Sequence, residues 1–210
     1  MDVRIRTLHI GWKVGLTAKA IQDQLGFHEP VFACILETQS TGHVFAANQL
    51  INPGFETEIC IRLGRALNGP VGYDEVREAI DAVYPSFEII ETRGPIQQMA
   101  LALADNGQQR SVIVGQPVPL GPNAMMSEVS VHVELNGNEV ASGLGSAVLG
   151  DPLNSIVWLA GKLISFGRHV REGDLIMTGS FVRQFPLNPK YVAVARFSKI
   201  ADVTVRMAAA

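Results

Sequence analysis

The alternation of apolar and polar positions predicts that most of this chain is strand and turn. Nine short runs are continuously apolar or alternate with period two, and glycine, proline or asparagine bounds them, which is typical of strands. They cover residues 31–36, 57–63, 86–90, 111–114, 128–135, 139–142, 175–177, 191–197 and 202–206. Asn136-Gly137 lies between two of these runs and predicts a tight hairpin turn.

Three other stretches have the period of an amphipathic helix. The predicted helices and their N-cap residues are 17–25 with Thr17, 74–83 with Asp74, and 152–166 with Asp151. Gly26 would end the first helix, while Pro152 fits the first turn of the third and Gly167 follows its end. The apolar faces are expected to be Ala20, Ile21 and Leu25 in the first, Val76, Ala79, Ile80 and Val83 in the second, and Ile156, Leu159, Ala160, Leu163 and Ile164 in the third.

This order of elements predicts an α+β fold. The regular strand–helix alternation of a doubly wound parallel sheet is missing, and the helices are few and far apart in the chain. The sequence contains no internal repeat, low-complexity tract or linker. We therefore expect one catalytic-type domain over residues 1–210.

The composition adds an expectation about assembly. Of the 210 residues, 47% are hydrophobic and 18% are charged, with a formal net charge of -3. That apolar fraction excludes a disordered chain, but the charged fraction is below the roughly one quarter usual for globular proteins. A chain with so few charges is expected to cover part of its surface at subunit interfaces, which predicts a homo-oligomer.

The charge pattern also excludes several classes of partner. The 17 basic residues are scattered without a cluster, so no nucleic-acid partner is expected. The sequence has neither an apolar run of about 18 residues nor the apolar region of a signal peptide, so no membrane partner is expected. Cys34 and Cys60 cannot form a disulfide framework. These features favour a protein of the reducing cytoplasm.

Two carboxylates occur in an otherwise apolar predicted strand around residues 57–63. Because side chains alternate along a strand, Glu56 and Glu58 would share one face. That face is expected to carry Glu56, Glu58, Cys60 and Arg62, and the other face Phe55, Ile59 and Ile61. Neighbouring anions raise each other's pKa unless a cation lies between them, and Mg²⁺ takes oxygen ligands. Taken alone, the pair is more simply explained as a solvated strand face.

A third acid changes that balance. Glu88 lies inside the apolar run of residues 85–90. Burying a lone acid is costly, and metal coordination is one of the few remedies, so three such acids fit a hard-cation site with open positions for substrate or water. Glu91 is nearby, but alternation places it on the face opposite Glu88, and we expect it to be solvated.

Seven segments, taken in order, resemble a known family. They are residues 11–17 (GWKVGLT), 56–58 (ETE), 85–88 (PSFE), 104–106 (ADN), 136–143 (NGNEVASG), 150–160 (GDPLNSIVWLA) and 173–180 (GDLIMTGS). The set resembles the 2-keto-4-pentenoate hydratase and 4-oxalocrotonate decarboxylase group of the fumarylacetoacetate hydrolase superfamily. The resemblance spans nearly the whole chain, from about residue 11 to residue 206. The ordered set is far more specific than Glu-x-Glu alone.

The resemblance implies a mixed β-sheet roll of the fumarylacetoacetate hydrolase C-terminal domain type with a few flanking helices. It implies a Mg²⁺ or Mn²⁺ ion held by Glu56, Glu58 and Glu88, and it places Lys13 at the pocket as the catalytic residue, to bind the substrate carboxylate or donate a proton. The substrate-binding set would be Leu16, Thr178, Gly179 and Asp105. Asp105 is equally well explained as a turn residue or as a group that supports the residues in contact with substrate. The substrates would be small 2-oxo or 2-hydroxydienoic acids from the meta-cleavage of aromatic compounds.

The activity favoured by the resemblance is that of a cytoplasmic, metal-dependent hydratase of the 2-keto-4-pentenoate type. A 2-oxo acid decarboxylase of the 4-oxalocrotonate type is the nearest alternative, followed by another C–C bond hydrolase of the superfamily. A non-catalytic homologue that serves as a binding or partner subunit stays open, as does a complex with a related pathway enzyme.

Three features depart from the family pattern. Only ten residues precede Gly11, so we expect the chain to lack the N-terminal helical segment usual in the family. Thr38 stands where an active-site aspartate is expected, and alternation would turn the adjacent Glu37 the other way. Gly107-Gln108-Gln109 follows Ala104-Asp105-Asn106, where a small hydroxyl residue is expected. The sequence thus predicts a complete metal set with an incomplete acid/base set.

Overall fold

Strands dominate the part of the chain that the computed structural model describes, which is residues 9–94, 99–121 and 123–210. The strands are β1 (Gly11–Gly15), β2 (Val31–Ile35), β3 (Thr38–Ser40), β4 (His43–Phe45), β5 (Pro53–Leu63), β6 (Ile80–Glu91), β7 (Gln109–Val114), β8 (Ser130–Leu135), β9 (Asn138–Leu144), β10 (Leu175–Ser180), β11 (Phe185–Pro186), β12 (Val192–Phe197) and β13 (Asp202–Met207). The helices are α1 (Lys19–Leu25), α2 (Tyr73–Glu78), α3 (Met99–Ala104) and α4 (Pro152–Ile164).

These strands form two mixed sheets in the described residues. The larger sheet has the order β2-β1-β10-β5-β6-β7-β3, with β11 pairing beside β5, and the smaller has the order β4-β13-β12-β8-β9. Most pairs are antiparallel, but β1 pairs with β10, β3 with β7 and β4 with β13 in parallel. This architecture confirms the predicted α+β class of mixed sheets with a few helices.

The long strands β5 and β6 divide the apolar side chains between two faces of the larger sheet. One face of β5 packs into the main core through Phe55, Ile59 and Ile61, together with residues of the smaller sheet and α4. The other face carries a smaller group of buried residues, called the second cluster here, formed by Ile35, Cys60, Ala82, Tyr84, Val112 and Met177. The predicted alternation along β5 is therefore confirmed.

The helix α4 agrees best with its predicted form. The side chain of Asp151 accepts a hydrogen bond from the Leu153 N–H at 2.9 Å, and Pro152 occupies the first turn. Its buried face includes Ile156, Leu159, Ala160 and Leu163, whereas Ile164 is exposed and was wrongly placed on that face. Within the described ranges, no helix is long and apolar enough to span a membrane.

The prediction for α1 was wrong about the N-cap residue and about which side of the helix is buried. The N-cap residue is Ala18 and not Thr17, although Gly26 ends the helix with a φ of 71° as expected. Ile21 is exposed, while Gln22 is buried and donates to the Leu16 carbonyl at 2.7 Å. The helix lies at the surface beside a cavity, and Ala20 and Ile21 do not reach the core, while the predicted burial of Leu25 falls outside the described side chains.

The predicted helix 74–83 is wrong in its second half, and its N-cap residue is Gly72 and not Asp74. The helix α2 begins after Gly72 and ends at Glu78, and the chain then enters β6 at Ile80. Val83 pairs with Ile61 of β5 in the antiparallel ladder. The apolar spacing suited a helix, but pairing with a long buried strand decided the structure.

Several shorter elements had no counterpart in the prediction, namely β1, β3, β4, β11 and α3. The hairpin between β8 and β9 is confirmed: Asn136 and Gly137 both have positive φ, at 51° and 80°. The other predicted strands are present with shifted ends, the largest shifts being the earlier starts of β5 and β6.

Candidate active site

The register of β5 and β6 brings three carboxylates together. Glu56 lies directly opposite Glu88 in the antiparallel ladder, and Glu58 is opposite Ser86. One carboxylate oxygen from each of Glu56, Glu58 and Glu88 lies within 4.8 Å of the others. Glu58 and Glu88 are 1% exposed and Glu56 is half-buried. We call these three residues the carboxylate triad.

Lys13 is the positive charge beside the triad. It lies on β1, which reaches β5 through β10, and its ammonium Nζ is 3.2 Å from Oε1 of Glu88. Its side chain is buried, like that of Glu88. One ammonium against three ionised carboxylates leaves two negative charges without a partner, and a divalent cation would neutralise them.

The electrostatics of the triad agree with this charge count. Burial, followed by the charge of Glu88, raises the pKa of Glu56 to about 7. Burial and the charges of Glu88 and Glu56 raise the pKa of Glu58 well above its usual value. Such carboxyl groups lose their protons when a metal ion binds, because the cation favours the charged form.

Lys13 keeps its proton in this environment. Burial alone would lower the pKa of an ammonium, but the charges of Glu88, Glu56 and Glu58 outweigh it, and the pKa of Lys13 is raised above its usual value. At neutral pH the side chain is therefore a hydrogen-bond donor and a cation, and not a base.

The residues present fit a hard divalent ion. All three ligand groups offer carboxylate oxygen, which Mg²⁺ and Mn²⁺ prefer. Apart from the Lys13 ammonium, no donor among the described residues lies against the buried Oε1 of Glu88. Glu58 is already oriented, because its Oε2 accepts a hydrogen bond from the Gly179 N–H at 2.8 Å.

The end of β10 orients Glu58 and borders the site. Thr178 is buried and its hydroxyl donates to the Ile59 carbonyl at 2.9 Å, which fixes β10 against β5. Gly179 has a φ of 115°, and a Cβ there would lie 2.4 Å from the Thr17 hydroxyl oxygen. Only glycine fits this position, and it exposes the N–H that Glu58 uses.

A cavity of about 450 Å³ opens beside Glu56. Leu16 and Ile21 line one side of it, and Phe181 and Val182 line the other. Its size falls in the range of pockets that take small ligands. The predicted substrate-binding residue Leu16 thus lies in a cavity wall, and the exposure of Ile21 has a local explanation.

The segment after α3 holds Lys13 in place. Asn106 accepts from the Cys34 N–H and donates to the Cys34 carbonyl, both at 2.9 Å. Gly107, with a φ of 62°, packs on Lys13 so closely that a Cβ would lie 2.7 Å from its Cε. A residue larger than glycine would displace the ammonium, which is a physical reason for Gly107 where a hydroxyl residue was expected.

Two acids outside the triad serve other contacts. Asp105 binds the guanidinium of Arg93 at 3.0 Å, so its substrate-binding role stays a prediction. Glu91 was expected to be solvated, which is wrong: it is buried and accepts hydrogen bonds from the Ile51 N–H and from Arg93. Backbone and side-chain donors replace water around its carboxylate.

Thr38 and its neighbour Glu37 both contact β7. Thr38 begins β3 and pairs with Val112. Glu37 forms an ion pair with Arg110 and accepts a hydrogen bond from Gln39. The hydrogen bond from Arg110 lowers the pKa of Glu37 below its usual value. Glu37 is thus an ionised, paired carboxylate.

Sequence reasoning missed one wall of the cavity. The turn formed by residues 181–184 connects β10 to β11 and lines the cavity, but no motif or periodicity marked it. The role of Gly107 was visible only as a departure from a family pattern. Both depend on contacts between elements that lie far apart in the chain.

Comparisons with known proteins place the chain among enzymes. The family profile described as fumarylacetoacetate (FAA) hydrolase C-terminal matches residues 28–207. The 2-keto-4-pentenoate hydratase of Paraburkholderia xenovorans (strain LB400) is 32% identical over 200 residues, which covers 92% of this chain and 74% of that protein. The 4-oxalocrotonate decarboxylase of Pseudomonas sp. (strain CF600) is 31% identical over 202 residues, covering 94% and 76%.

A solved structure has the same fold. The 4-oxalocrotonate decarboxylase from Pseudomonas putida G7, complexed with magnesium and adipate, superposes with a TM-score of 0.89 at 31% identity. The match covers 95% of this chain and 78% of that one. The likeness includes most of the described strands and both sheets.

Proposed function

Because the chain belongs to the fumarylacetoacetate hydrolase C-terminal family, we propose that it is a divalent-metal-dependent lyase that hydrates a small 2-hydroxydienoic or 2-oxo acid. The observation that carries this proposal is the carboxylate triad with Lys13 against it, beside a cavity of small-ligand size. The relatives named hydratases supply the reaction class.

The triad would hold Mg²⁺ or Mn²⁺. When bound there, the ion supplies Lewis acidity to an adjacent 2-oxo acid and stabilises the negative charge of an enolate. Gly179 fixes the orientation of Glu58, and the pairing of β5 with β6 fixes Glu56 against Glu88. The protein therefore presents its ligands before the ion arrives, which reduces the cost of ordering them.

Lys13 would be the residue that acts on the substrate. Its ammonium lies at the triad and carries a proton at neutral pH, so it can bind the substrate carboxylate or deliver a proton to a carbon of the dienol while the enol hydroxyl releases its own proton to solvent. Water then adds to the conjugated ketone that this proton transfer leaves. Gly107 and the buried wall around Lys13 limit its motion, which positions the proton.

The other residues of the predicted substrate-binding set would have supporting roles. Leu16 would pack against the hydrocarbon part of the substrate, and Thr178 with Gly179 would form the turn beneath it. Asp105 contacts Arg93, and its substrate-binding role stays a prediction.

Decarboxylation is the second candidate, because a 4-oxalocrotonate decarboxylase matches as well in sequence and shares the fold. Loss of CO₂ from a 2-oxo acid forms the same kind of enolate as the hydratase reaction. The triad and Lys13 serve either step, so substrate choice separates the two.

A panel of acids tests both reactions. With Mg²⁺ added, we expect the ultraviolet absorbance of 2-hydroxypenta-2,4-dienoate to decay, and removal of the metal with EDTA to stop the decay. Release of CO₂ from 2-oxohex-3-enedioate would identify the decarboxylase. Inactivity across the panel despite bound metal would contradict an enzymatic role and support a non-catalytic binding or partner subunit.

We further propose a single-domain, cytoplasmic homo-oligomer. The support is the low charged fraction of 18%, exposed apolar residues such as Leu36 and Phe166, and the two free cysteines Cys34 and Cys60. Light scattering coupled to size-exclusion chromatography measures the mass in solution, and a mass of one chain at micromolar concentration would contradict the oligomer.

A further inference from the structure

The wall of the cavity next to Glu56 contains an arginine without a carboxylate partner. Arg183 lines this cavity, and its guanidinium carbon lies 4.1 Å from the centroid of the Phe185 ring. It forms no salt bridge with any residue of the described ranges, whereas Arg93 and Arg196 each bind two carboxylates. A cation at a ligand cavity that lacks a protein counter-ion is available to an anionic ligand.

The turn that carries Arg183 is held in place on both sides. Phe185 is buried, pairs with Phe55 of β5 and stacks on its ring at 5.8 Å between centroids. Gln184 lies over Gly54, where a Cβ would come within 2.4 Å of its side-chain nitrogen. Since Gly54 and Phe55 directly precede Glu56, this packing fixes the turn relative to the triad.

Stacking on Phe185 prepares the guanidinium for a planar anion. The guanidinium carbon lies over the ring, and the group makes no hydrogen bond to any residue of the described ranges, so its N–H donors are available. A carboxylate can accept two parallel hydrogen bonds from such donors. Apolar side chains, including Leu16 and Val182, line the cavity together with its charged residues Glu56 and Arg183. The wall therefore suits a short hydrocarbon chain with an acid group at each end.

We propose that Arg183 binds a second carboxylate, so that this chain prefers 2-oxo or 2-hydroxydienoic acids with two acid groups over those with one. The inference rests on the proposed function, because it takes the 2-oxo acid end of the substrate to lie at the triad. An exposed ion pair contributes little in water, but a ligand that fills the cavity excludes water from the pair.

Binding of two matched ligands tests the subsite without turnover. Both are six-carbon 2-oxo acids: 2-oxoadipate has a second carboxylate, and 2-oxohexanoate ends in a methyl group. By calorimetry on the Mg²⁺-loaded protein, we expect 2-oxoadipate to bind about 10- to 100-fold more tightly. Arg183→Gln should remove most of this preference and leave 2-oxohexanoate affinity within about threefold, and Arg183→Lys should keep part of it.

Arg206→Gln is the matched control, because Arg206 is an exposed arginine of β13 in the smaller sheet. It should keep the full preference. Equal affinities for the two ligands in the unaltered protein, or a preference that survives Arg183→Gln, would overturn the subsite alone. Failure of both ligands to bind would overturn the subsite together with the site assigned to the 2-oxo acid. A clear preference without turnover on any acid would support the subsite and contradict the proposed function.

Discussion

On one face of β5, Glu56 and Glu58 are followed two residues later by Cys60, and the surroundings change from three acids to an apolar cluster. The carboxylate triad is buried at a cost, since its pKa values are raised and Lys13 supplies only one positive charge. The second cluster stabilises the fold by burying apolar surface. One strand with one alternation thus carries a region made for a ligand beside a region made for stability.

Substitutions in the two regions should therefore have opposite effects on activity and on stability. A change in the triad should remove activity and leave or even raise the stability of the metal-free protein. A change in the second cluster should lower stability and leave metal affinity intact.

Glu58→Gln should lower metal-dependent turnover by about 10³-fold or more, because it removes a charged ligand and several kcal/mol of transition-state stabilisation. The glutamine oxygen can still accept the Gly179 N–H, so the fold is kept. The midpoint of thermal unfolding without metal should stay equal or rise. Glu172→Gln, at an exposed position, is the control and should change neither property. Full turnover in Glu58→Gln would contradict the role of the triad.

Lys13→Met should lower kcat/KM by about 100-fold or more, the usual contribution of a positioned proton donor. Without metal it should also destabilise the protein, because the buried acids lose the cation that lies 3.2 Å from Glu88. Saturating Mg²⁺ should restore stability but not activity. Lys162→Met, at a surface ion pair with Glu29, is the matched control. Kinetics and thermal unfolding, each with and without metal, measure both effects.

Ile35→Ala tests the second cluster. Ile35 is fully buried there, and its truncation should lower the free energy of unfolding by about 2–4 kcal/mol through lost burial and a residual cavity. Urea denaturation measures the loss, and calorimetry should show Mg²⁺ affinity within about threefold of the unaltered protein. A loss of metal affinity above tenfold would show that the two regions are coupled.

Metal affinity and metal-free stability should both depend on pH, with smaller effects than the substitutions above. Because the pKa of Glu56 is about 7, Mg²⁺ must displace a proton at lower pH, and its affinity should fall by up to about tenfold per pH unit below 7. Without metal, the folded chain keeps this proton between pH 4.5, the usual pKa, and about 7, whereas the unfolded chain loses it. Metal-free stability should therefore fall as pH rises through that range.

Thermal unfolding at several pH values, with and without Mg²⁺, measures this dependence. In Glu56→Gln the fall in stability should be smaller, since one of the titrating acids is removed. A metal-free stability that rises steadily from pH 5 to pH 7 would contradict the raised pKa values of the buried carboxyl groups.

Local signals in the sequence were enough for the triad but not for its surroundings. Period-two alternation placed Glu56 and Glu58 on one face, and an acid inside an apolar run marked Glu88. The direct pairing of β5 with β6 then brings the three carboxylates together. The helix α4 was equally predictable, because Asp151 and Pro152 are local start signals.

The elements that were wrongly predicted depend on distant contacts. The spacing of Ile80 and Val83 fits a helix as well as a strand, and only the partner strand β5 decides between them. The cavity wall at residues 181–184 has no local signature, because its position depends on Phe185 stacking against Phe55. Glu91 is buried only because the Ile51 N–H and Arg93 reach it.

The most direct test of the central claim is a calorimetric titration of the metal-free protein with Mn²⁺ near pH 7, in two buffers of different ionisation enthalpy. We expect one ion to bind per chain with release of protons from the triad, and this binding to be lost in Glu58→Gln but not in Glu172→Gln. Absence of binding to the unaltered protein, or equal binding to Glu58→Gln, would contradict this expectation.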